Sequence, residues 1–485
     1  RRRYRLGRLA ERLGLKSVAA GPVFFMDRSD YNIHRLLRAI GAGKTVGTLS
    51  AADTASPHAF LHSPEELRRI FPDDILDAAS EVAADCSLEL DLESRRLPAF
   101  PLPEGSESSD LLEKIALEGL EKKGLNNSRG RKQLEHELSV VNSKGLADYF
   151  LICRDVVSYA ARRGMRSLGR GSAGNSLLSH VLGITHVNPL ATDLFFERFL
   201  NPGREKLPDI DIDFATEDRE EVLEYIFKKY GSSRVAMIGT YSTFRARGAI
   251  REAAKAMGIP ESEISPMVRR IPFFARMKHL RESCRGKVDL RSEPLRSVLP
   301  LAAAIEGLPR HMSAHPCGLV ITPMPVTDMM PLQRCRKGYR ITQWSMVEVE
   351  EAGFLKLDII GQKGLAVIQD AASMAGRSGG FDPSSRRDLF SGSPAAAGLL
   401  REGKTVGCFY VESPVMIQML RQARCEDFET LTALSSIIRP GVSSYGGKEL
   451  YLSRHLGLDP AGRIHPVVDR VLKNTYGCLI YQEQV

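Results

Sequence analysis

Hydrophobic and polar residues alternate along two short segments of this chain and follow helical spacing along several longer ones. From 208 to 214 every second residue is an aspartate, and the residues between them are apolar. This pattern predicts a β-strand, because successive side chains of a strand point to opposite faces. A second strand is predicted over 353–360. Apolar residues at helical spacing predict helices over 147–161, 219–230, 246–257 and 365–374, and a mainly helical region from 395 onward.

The length and composition indicate a soluble protein of several domains. A chain of 485 residues exceeds what one hydrophobic core supports and predicts two to four domains. A proline-rich loop over 97–104 is a candidate boundary. Between 110 and 165 we predict two helices, a charged one through Glu137 and the apolar one that begins at 147. No apolar run has the roughly 18 to 20 residues that a membrane span needs.

The cysteines and the chain ends indicate a cytoplasmic setting. The eight cysteines are scattered and form no Cys-x-x-Cys pair. That spacing argues against a zinc module or a disulfide framework and predicts unlinked, mostly buried thiols. No secretory signal follows the opening Arg1-Arg2-Arg3-Tyr4.

Because there is also no initiator Met and no terminating signal, we interpret the chain as an internal fragment of a longer protein.

The aspartates of the 208–214 segment are candidate metal ligands. On a strand, Asp209, Asp211 and Asp213 share one face at spacings of about 6 to 7 Å, and carboxylates so close repel one another. A buried row of acids is costly unless a cation neutralises it. Mg²⁺ fits, because it prefers oxygen ligands and is usually held by one or two carboxylates together with substrate phosphates. A half-exposed strand with a polar outer face is the alternative.

Two further motifs extend this chemistry. A loop rich in glycine and serine over 169–176 lets backbone N–H groups approach an anion, and it lacks the Gly-Lys-Ser/Thr ending of a P-loop nucleotide triphosphatase. On the second strand Lys356 and Asp358 share a face. Asp358 can complete a metal site and Lys356 can meet a phosphate, or the two form a surface ion pair of little consequence. Together the motifs indicate two-metal phosphoryl or nucleotidyl transfer.

Nearly all of the net charge of +8 lies between residues 241 and 318. This segment holds 14 Lys and Arg against seven Asp and Glu. Such a patch indicates a phosphate-backbone partner, with a solvated basic helical surface as the alternative. The candidate DNA-binding residues are Arg245, Arg247, Arg251, Arg269, Arg270, Arg276 and Lys278.

Several motifs resemble those of the alpha subunit of bacterial DNA polymerase III, a C-family polymerase. They occur in matching order from about residue 110 to the end: Gly171-Ser172, Phe195-Phe196-Glu197-Arg198-Phe199-Leu200-Asn201-Pro202, the Pro-Asp-Ile-Asp-Ile-Asp-Phe run, Lys356-x-Asp358, Arg439-Pro440-Gly441 and Tyr481-Gln482-Glu483-Gln484. The resemblance implies a multidomain α+β fold. Its palm would be similar to polymerase beta-type nucleotidyltransferases, a mixed sheet with helices, joined to a helical thumb, helical fingers and the remnant of an N-terminal PHP domain.

The resemblance also implies the order of domains along the chain. It places the C-terminal part of a degenerate PHP domain at 1–100, followed by the first part of the palm at 101–240. A basic thumb at 241–318 would grip the DNA backbone without reading sequence. The second part of the palm would follow at 319–368 and the truncated start of the fingers at 369–485.

By the same resemblance, the activity is that of a DNA-directed DNA polymerase, which transfers a nucleotide from a dNTP to a primer 3′-OH with two Mg²⁺ ions in replication or repair synthesis. Asp209, Asp211 and Asp358 match the family's metal-binding catalytic aspartates, and the role of Asp213 stays open. The positions that match triphosphate contacts are Gly171, Ser172, Arg198 and Lys356. The implied partners are primer–template DNA, dNTP and, for a full-length protein, the sliding clamp and other replisome subunits. The implied location is the bacterial cytoplasm, with no membrane partner.

The first hundred residues depart from the family pattern. The family usually carries an Asn-Asp-x-His-like stretch just upstream of the helix that holds Asp30 and Tyr31, and here those positions read Gly21-Pro22-Val23-Phe24. Pro22 and Phe24 cannot bind a metal, so we expect no nuclease activity there. We interpret His34 as a packing or surface residue.

Two rival functions stay open. One is a metal-dependent phosphoesterase or 3′–5′ exonuclease that acts through the PHP domain, and the other is a non-catalytic DNA-binding scaffold.

Two segments are closer to accessory or error-prone paralogues of the same family than to its main replicative enzyme: Ile341-Thr342-Gln343-Trp344 and Phe409-Tyr410-Val411-Glu412-Ser413. We expect the fragment alone to be inactive.

Overall fold

The chain forms two compact units, each built from two separate stretches of sequence. The computed structural model describes residues 2–89, 94–192, 194–203, 207–376, 393–439, 441, 446–460, 462 and 465–484. The first unit comprises Arg1–Leu92 and Thr240–Ser313, and the second comprises Glu93–Gly239 and Ala314–Val485. Pro440 of the Arg439-Pro440-Gly441 motif and residues 377–392 of the expected fingers lie outside the described residues.

The first unit is mostly helical. Its core combines the helix Tyr31–Ala42 with four helices from the second stretch, and Leu36, Ile250 and Val298 are buried together there. Apolar residues recur every three to four positions along these helices, so each presents one apolar stripe to the core. The helices of this unit are Arg2–Leu13, Tyr31–Ala42, Pro64–Ile70, Asp73–Asp85, Ala246–Ala256, Glu261–Arg270, Leu280–Ser283 and Leu295–Ile305.

His34 packs inside the first unit. Its ring lies 5.7 Å from the Phe24 ring and 5.6 Å from the Phe25 ring, measured between centroids. Its Nε2 accepts a hydrogen bond from the Ala55 N–H at 2.9 Å. Burial, and then the charge of Arg38, lower the pKa of His34, which favours the neutral ring that accepts this bond. His34 was interpreted as a packing or surface residue, and these contacts of a half-buried ring support packing.

The second unit contains a mixed seven-stranded sheet, and two of its strands run past the unit boundary. The order across the sheet is β1-β2-β7-β4-β3-β6-β5. The pairs β2–β7 and β3–β6 are parallel, whereas β1–β2, β4–β7 and β5–β6 are antiparallel. The strands are β1 Ser167–Arg170, β2 Asp211–Ala215, β3 Val235–Thr243, β4 Pro309–Ile321, β5 Leu332–Arg334, β6 Arg340–Thr342 and β7 Lys356–Gln362. This mixed sheet with its many helices confirms the α+β fold class.

Helices precede, separate and follow these strands in the sequence of the second unit. They are Ser108–Lys122, Ser128–Ser143, Ala147–Arg162, Leu177–Val181, Arg219–Tyr230, Met346–Glu351, Lys363–Gly376, Pro394–Arg401, Pro414–Gln422, Phe428–Ile437, Gly447–His455 and Pro466–Val471. None of the helices in the described part of the chain has the length and apolar content needed to cross a bilayer.

Three details differ from the sequence predictions. Residues 110 to 165 fall in three helices rather than two, because Gly124 adopts a left-handed conformation (φ 68°) and Asn127 accepts a bond from the Gly130 N–H at 2.9 Å to begin a new helix. The predicted strand over 208–214 begins only at Asp211. All eight cysteines are free as predicted, but only Cys153, Cys284, Cys425 and Cys478 are buried.

Candidate metal centre

Three predicted aspartates meet at neighbouring strands of the sheet. Strands β2 and β7 run parallel with Asp211 opposite Asp358, and Asp209 lies two residues before β2. Carboxylate oxygens of Asp209, Asp211 and Asp358 all lie within 4.8 Å of one another. Within the described part of the chain, this is the only group of three or more His, Cys, Asp or Glu side chains close enough to share a metal ion.

Lys356 lies between two of these carboxylates. Its Nζ is 2.8 Å from Asp358 Oδ2 and 2.9 Å from Asp209 Oδ2, and the residue is only 9% exposed. Burial alone would lower the pKa of Lys356, but the hydrogen bonds and charges of Asp358 and Asp209 outweigh it and raise the pKa. The pairing of Lys356 with Asp358 on one face of a strand is therefore observed, and it is buried rather than a surface ion pair.

The ammonium group of Lys356 neutralises only part of the negative charge of the three carboxylates. Burial raises the pKa of Asp211 to about 6, with further contributions from the nearby charges of Asp209 and Asp358. The Oδ1 atoms of Asp209 and Asp358 are buried, and in the described part of the chain neither has a hydrogen-bond donor. Unsatisfied carboxylate oxygens in a buried acidic cluster are the ligands that a hard divalent cation prefers. These residues therefore fit a metal ion.

Asp213 does not belong to this group. Its carboxylate is buried and its Oδ1 lies 3.0 Å from Arg170 Nε, while the same nitrogen is 3.9 Å from Asp211 Oδ2. Burial raises the pKa of Asp213, and the Arg170 charge opposes that shift. Arg170 was not identified from the sequence, although it directly precedes Gly171 and lies opposite Asp211 on β1. Asp213 is thus neutralised by the protein itself.

The loop rich in glycine and serine adjoins the aspartates. Residues Gly171–Asn175 form one turn of 3-10 helix, and Gly171 has a left-handed backbone (φ 69°) that favours glycine. A Cβ atom at Gly171 would lie 3.8 Å from Asp211 Oδ2, so the loop backbone passes directly beside the aspartate cluster. Gly171 is exposed and Ser172 half-buried, which leaves both accessible to a ligand.

A buried glutamate supports this loop. Glu137 is fully buried and accepts hydrogen bonds from Ser176 Oγ at 2.8 Å and from the N–H groups of Leu177 and Leu178 at 2.9 Å. Burial raises the pKa of Glu137, although each of these bonds opposes the shift. The sequence showed Glu137 only as part of a charged helix, because its partners are about 40 residues away.

Arg198 joins two of the sequence motifs. It ends the short turn Phe196–Arg198, and its guanidinium group bonds to the side chains of Glu483 and Gln482. The Phe-Glu-Arg-Phe segment and the Tyr-Gln-Glu-Gln segment therefore meet in space. In this structure the Arg198 guanidinium group contacts a carboxylate, and the Lys356 ammonium group contacts two aspartates.

The basic residues of the first unit fall into two groups. Arg247 donates to the carbonyl groups of Ile271 and Arg269, and Arg251 lies 3.2 Å from Glu261, so these two arginines are engaged within the unit. The predicted DNA-binding residues with exposed side chains are Arg245, Arg269, Arg270, Arg276 and Lys278.

Two residues close to Asp358 were not identified from the sequence. His315 Nδ1 accepts a bond from the Gly318 N–H at 2.8 Å, and burial lowers the pKa of His315. Gly318 lies opposite Asp358 on β4, and a Cβ there would come within 3.2 Å of Asp358 Oδ1. The glycine makes room for the carboxylate. The Cys-Gly pair that follows His315 and Pro316 gives no local signal of this role.

Comparison with known proteins identifies matches along nearly the whole chain. The model of the bacterial DNA polymerase III alpha NTPase domain matches residues 110–361, and that of the DNA polymerase III alpha subunit finger domain matches residues 365–485. The DNA polymerase III subunit alpha of Bacillus subtilis is 35% identical, over 99% of this chain and 43% of that protein. Two error-prone DNA polymerases also match over 98% of the chain: that of Symbiobacterium thermophilum at 33% identity over 44% of its length, and that of Methylococcus capsulatus at 34% over 46%. The chain thus spans less than half the length of these curated relatives.

Proposed function

This chain belongs to the bacterial DNA polymerase III alpha subunit family, and we propose that it supplies the active centre with which the full-length protein catalyses template-directed nucleotidyl transfer from a dNTP to a primer 3′-OH. The observation that carries the proposal is the convergence of Asp209, Asp211 and Asp358 within 4.8 Å. A scaffold without catalysis has no need to hold three repelling carboxylates together at a cost to stability. The partners would be primer–template DNA and dNTP, with the sliding clamp and other replisome subunits for the full-length protein in the cytoplasm.

The three aspartates would hold two Mg²⁺ ions, whose chemistry is to lower the pKa of the primer hydroxyl and to stabilise the leaving pyrophosphate. Around them, the chain's own groups would orient the nucleotide. The exposed backbone of Gly171 and the Ser172 hydroxyl lie beside Asp211 and suit a phosphate oxygen. Arg198 would exchange Glu483 for a phosphate when the nucleotide binds, and Lys356 would keep Asp209 and Asp358 in register while contacting the triphosphate.

The remaining parts support the same assignment. The exposed basic residues Arg245, Arg269, Arg270, Arg276 and Lys278 would bind the phosphate backbone as the thumb, whereas Arg247 and Arg251 would shape that surface from within. In the sequence, one part of the palm would precede this segment and the other would follow it. The fingers would begin near residue 369. Residues 1–100 would be the remnant of the PHP domain.

Primer extension by the full-length protein tests the proposal. Asp209→Asn or Asp211→Asn should abolish extension of a primed template and leave primer–template binding unchanged, because each removes one metal ligand and no DNA contact. Asp370→Asn, an exposed position on the helix Lys363–Gly376, is the matched control and should extend normally. Undiminished extension by either active-centre variant would refute the proposal.

A further inference from the structure

A tyrosine hydroxyl joins the two backbone segments that carry the aspartates. Tyr149 lies on the helix Ala147–Arg162 and is 2% exposed. Its hydroxyl oxygen accepts the Ile210 N–H at 3.1 Å and donates to the Lys356 carbonyl at 3.4 Å. Ile210 separates Asp209 from Asp211, and Lys356 lies two residues before Asp358.

The hydrogen bond between the Ile210 N–H and the Tyr149 hydroxyl lies at a point where the two strands are not yet paired. The pairing of β2 with β7 begins at Asp211, so the backbone on the Asp209 side lies outside the strand ladder. The buried Ile210 N–H needs an acceptor, and the Tyr149 hydroxyl supplies it. The same hydroxyl reaches the first residue of β7, so it fixes the distance between the segment of Asp209 and the strand of Asp358.

We propose that Tyr149 is a positioning residue of the metal centre, whose hydroxyl sets the spacing of the aspartates and thereby the selectivity for Mg²⁺. The inference rests on the proposed metal-binding function. Mg²⁺ demands near-ideal octahedral geometry at about 2.0 to 2.1 Å, whereas Ca²⁺ accepts flexible geometry and longer bonds. A site whose spacing is no longer fixed should therefore lose Mg²⁺ affinity more than Ca²⁺ affinity.

Competition for Mn²⁺ tests this role on the purified chain. Free Mn²⁺ is measured by electron paramagnetic resonance while Mg²⁺ or Ca²⁺ displaces the bound ion. Tyr149→Phe should weaken Mg²⁺ binding by about 10- to 100-fold and Ca²⁺ binding less, the usual range for losing a group that orients a ligand. Tyr225→Phe is the matched control, since it removes a hydroxyl bound to Asp155 and should leave both affinities unchanged.

A second variant removes the donor of the bond between Ile210 and Tyr149 instead of its acceptor. Replacing the Ile210 amide by an ester deletes the N–H group and keeps the side chains of Ile210 and Tyr149. Circular dichroism verifies the fold of each variant. Unchanged Mg²⁺ and Ca²⁺ affinities in both variants would overturn the role of Tyr149 alone. Equal weakening of the two ions would overturn the selectivity, and a wild-type chain that binds no divalent ion would overturn the metal centre and the role of Tyr149 with it.

A separate observation concerns two exposed phenylalanines in the first unit. Phe273 and Phe274 are 64% and 83% exposed, and their ring centroids lie 5.1 Å apart. The guanidinium carbon of Arg247 lies 5.9 Å from the Phe273 ring centroid, held there by bonds to the Ile271 and Arg269 carbonyl groups. The exposed cations that flank the pair in sequence are Arg269, Arg270, Arg276 and Lys278.

We infer that this aromatic pair stacks an unpaired base of single-stranded DNA. Exposed aromatic rings framed by cations match the way such strands are bound, because every base has a face to stack and every nucleotide a phosphate to neutralise. Bases inside a duplex are already stacked, so the rings add little to duplex binding. The inference rests on the proposed DNA-binding function of this segment.

Fluorescence anisotropy with oligo-dT and with a blunt-ended linear duplex separates the two kinds of binding. Phe274→Ala should weaken oligo-dT binding by about fivefold or more and leave duplex binding unchanged, and Phe274→Trp should retain oligo-dT binding. Phe428→Ala, at a phenylalanine 66% exposed in the second unit, is the matched control and should bind as wild type.

The outcomes separate the aromatic pair from DNA binding in general. Equal losses for both DNAs, or no loss for either, would overturn the stacking role alone. A wild-type chain that binds neither DNA would overturn the proposed DNA binding. Binding to anionic phosphatidylserine vesicles that depends on Phe274, with oligo-dT binding unaffected, would instead mark the pair as a membrane-facing surface.

Discussion

Single residues set the charge balance of the candidate metal centre. Three carboxylates lie within 4.8 Å of one another, and Lys356 supplies one ammonium group to two of them. The pairing of Lys356 with Asp358 was predictable, because residues two apart on a strand share a face. The pairing of Lys356 with Asp209 was not, because 147 positions of chain separate the two and only the folded sheet brings them together.

A methyl group at Gly318 should weaken metal binding. The Cβ of alanine would lie 3.2 Å from Asp358 Oδ1 and 3.0 Å from Ile238 Cδ1, which is tighter than ordinary contact. Ile238 is buried in the core and can move little, so we expect the strain to fall on the Asp358 carboxylate and on the His315 ring, whose Nδ1 would lie 3.1 Å from the new Cβ. Gly318→Ala should therefore lower the affinity for Mn²⁺ by about 10-fold or more in a titration of the free ion.

The control for this change is Gly398→Ala. No atom lies within 4 Å of a Cβ at Gly398, which is in the helix Pro394–Arg401. Alanine there should leave Mn²⁺ affinity unchanged and stabilise the chain by about 0.5 to 1 kcal/mol. Wild-type Mn²⁺ affinity in Gly318→Ala would show that the carboxylate does not depend on the space beside it.

Elements of the second unit are positioned by buried polar contacts between helices. Glu137 on the helix Ser128–Ser143 receives the N–H groups at the start of the helix Leu177–Val181. These bonds fix the end of the turn Gly171–Asn175, whose first residue lies beside Asp211. One buried carboxylate thus connects a long helix to the loop that we expect to meet the nucleotide phosphates.

Glu137→Gln should destabilise the second unit. Both carboxylate oxygens accept hydrogen bonds, whereas glutamine offers one acceptor oxygen and turns an NH₂ group toward N–H donors. A buried donor left without a partner costs about 1 to 3 kcal/mol, and more where a charged acceptor is lost. We expect a loss of about 3 kcal/mol in chemical unfolding. Glu135→Gln, on the exposed face of the same helix, should change the free energy of unfolding by less than about 0.5 kcal/mol.

The element boundaries show what a sequence can and cannot predict. The helix Arg219–Tyr230 matches its prediction because its signals are local: acidic residues in its first turn, lysines in its last turn and buried Val222, Leu223 and Ile226 at helical spacing. The strand predicted over 208–214 begins late for a tertiary reason. Asp209 contacts Lys356 and Ile210 contacts Tyr149, so neither residue pairs with a neighbouring strand.

At the scale of the whole chain, the two stretches of the first unit share one core. Leu36 from the first stretch and Ile250 and Val298 from the second are buried in the same cluster. The family resemblance implies instead that these stretches are a PHP remnant and a thumb, because it follows the order of motifs along the chain. Grouping by shared core depends on contacts between residues more than 200 positions apart, which no local pattern encodes.

We expect the stability of the whole molecule to fall as the pH rises. A divalent ion should restore it. Burial, and then the charges of Asp209 and Asp358, raise the pKa of Asp211 from 3.8 to about 6. A carboxyl group with a higher pKa in the folded than in the unfolded chain stabilises the fold while protonated. That contribution is complete below pH 3.8 and is lost as the pH rises through 6. Its size is on the order of 2 kcal/mol, allowing for partial exposure of the side chain.

Thermal unfolding of the metal-free chain at pH 5 and pH 7 measures this contribution. The wild-type chain should lose more stability between the two values than Asp211→Asn, which cannot ionise, while Asp370→Asn should behave as wild type. Adding Mg²⁺ should stabilise the wild-type chain more at pH 7 than at pH 5, because binding competes with the proton on Asp211. If Asp211→Asn keeps the full pH dependence and the full response to Mg²⁺, the ionisation of this aspartate does not control either one.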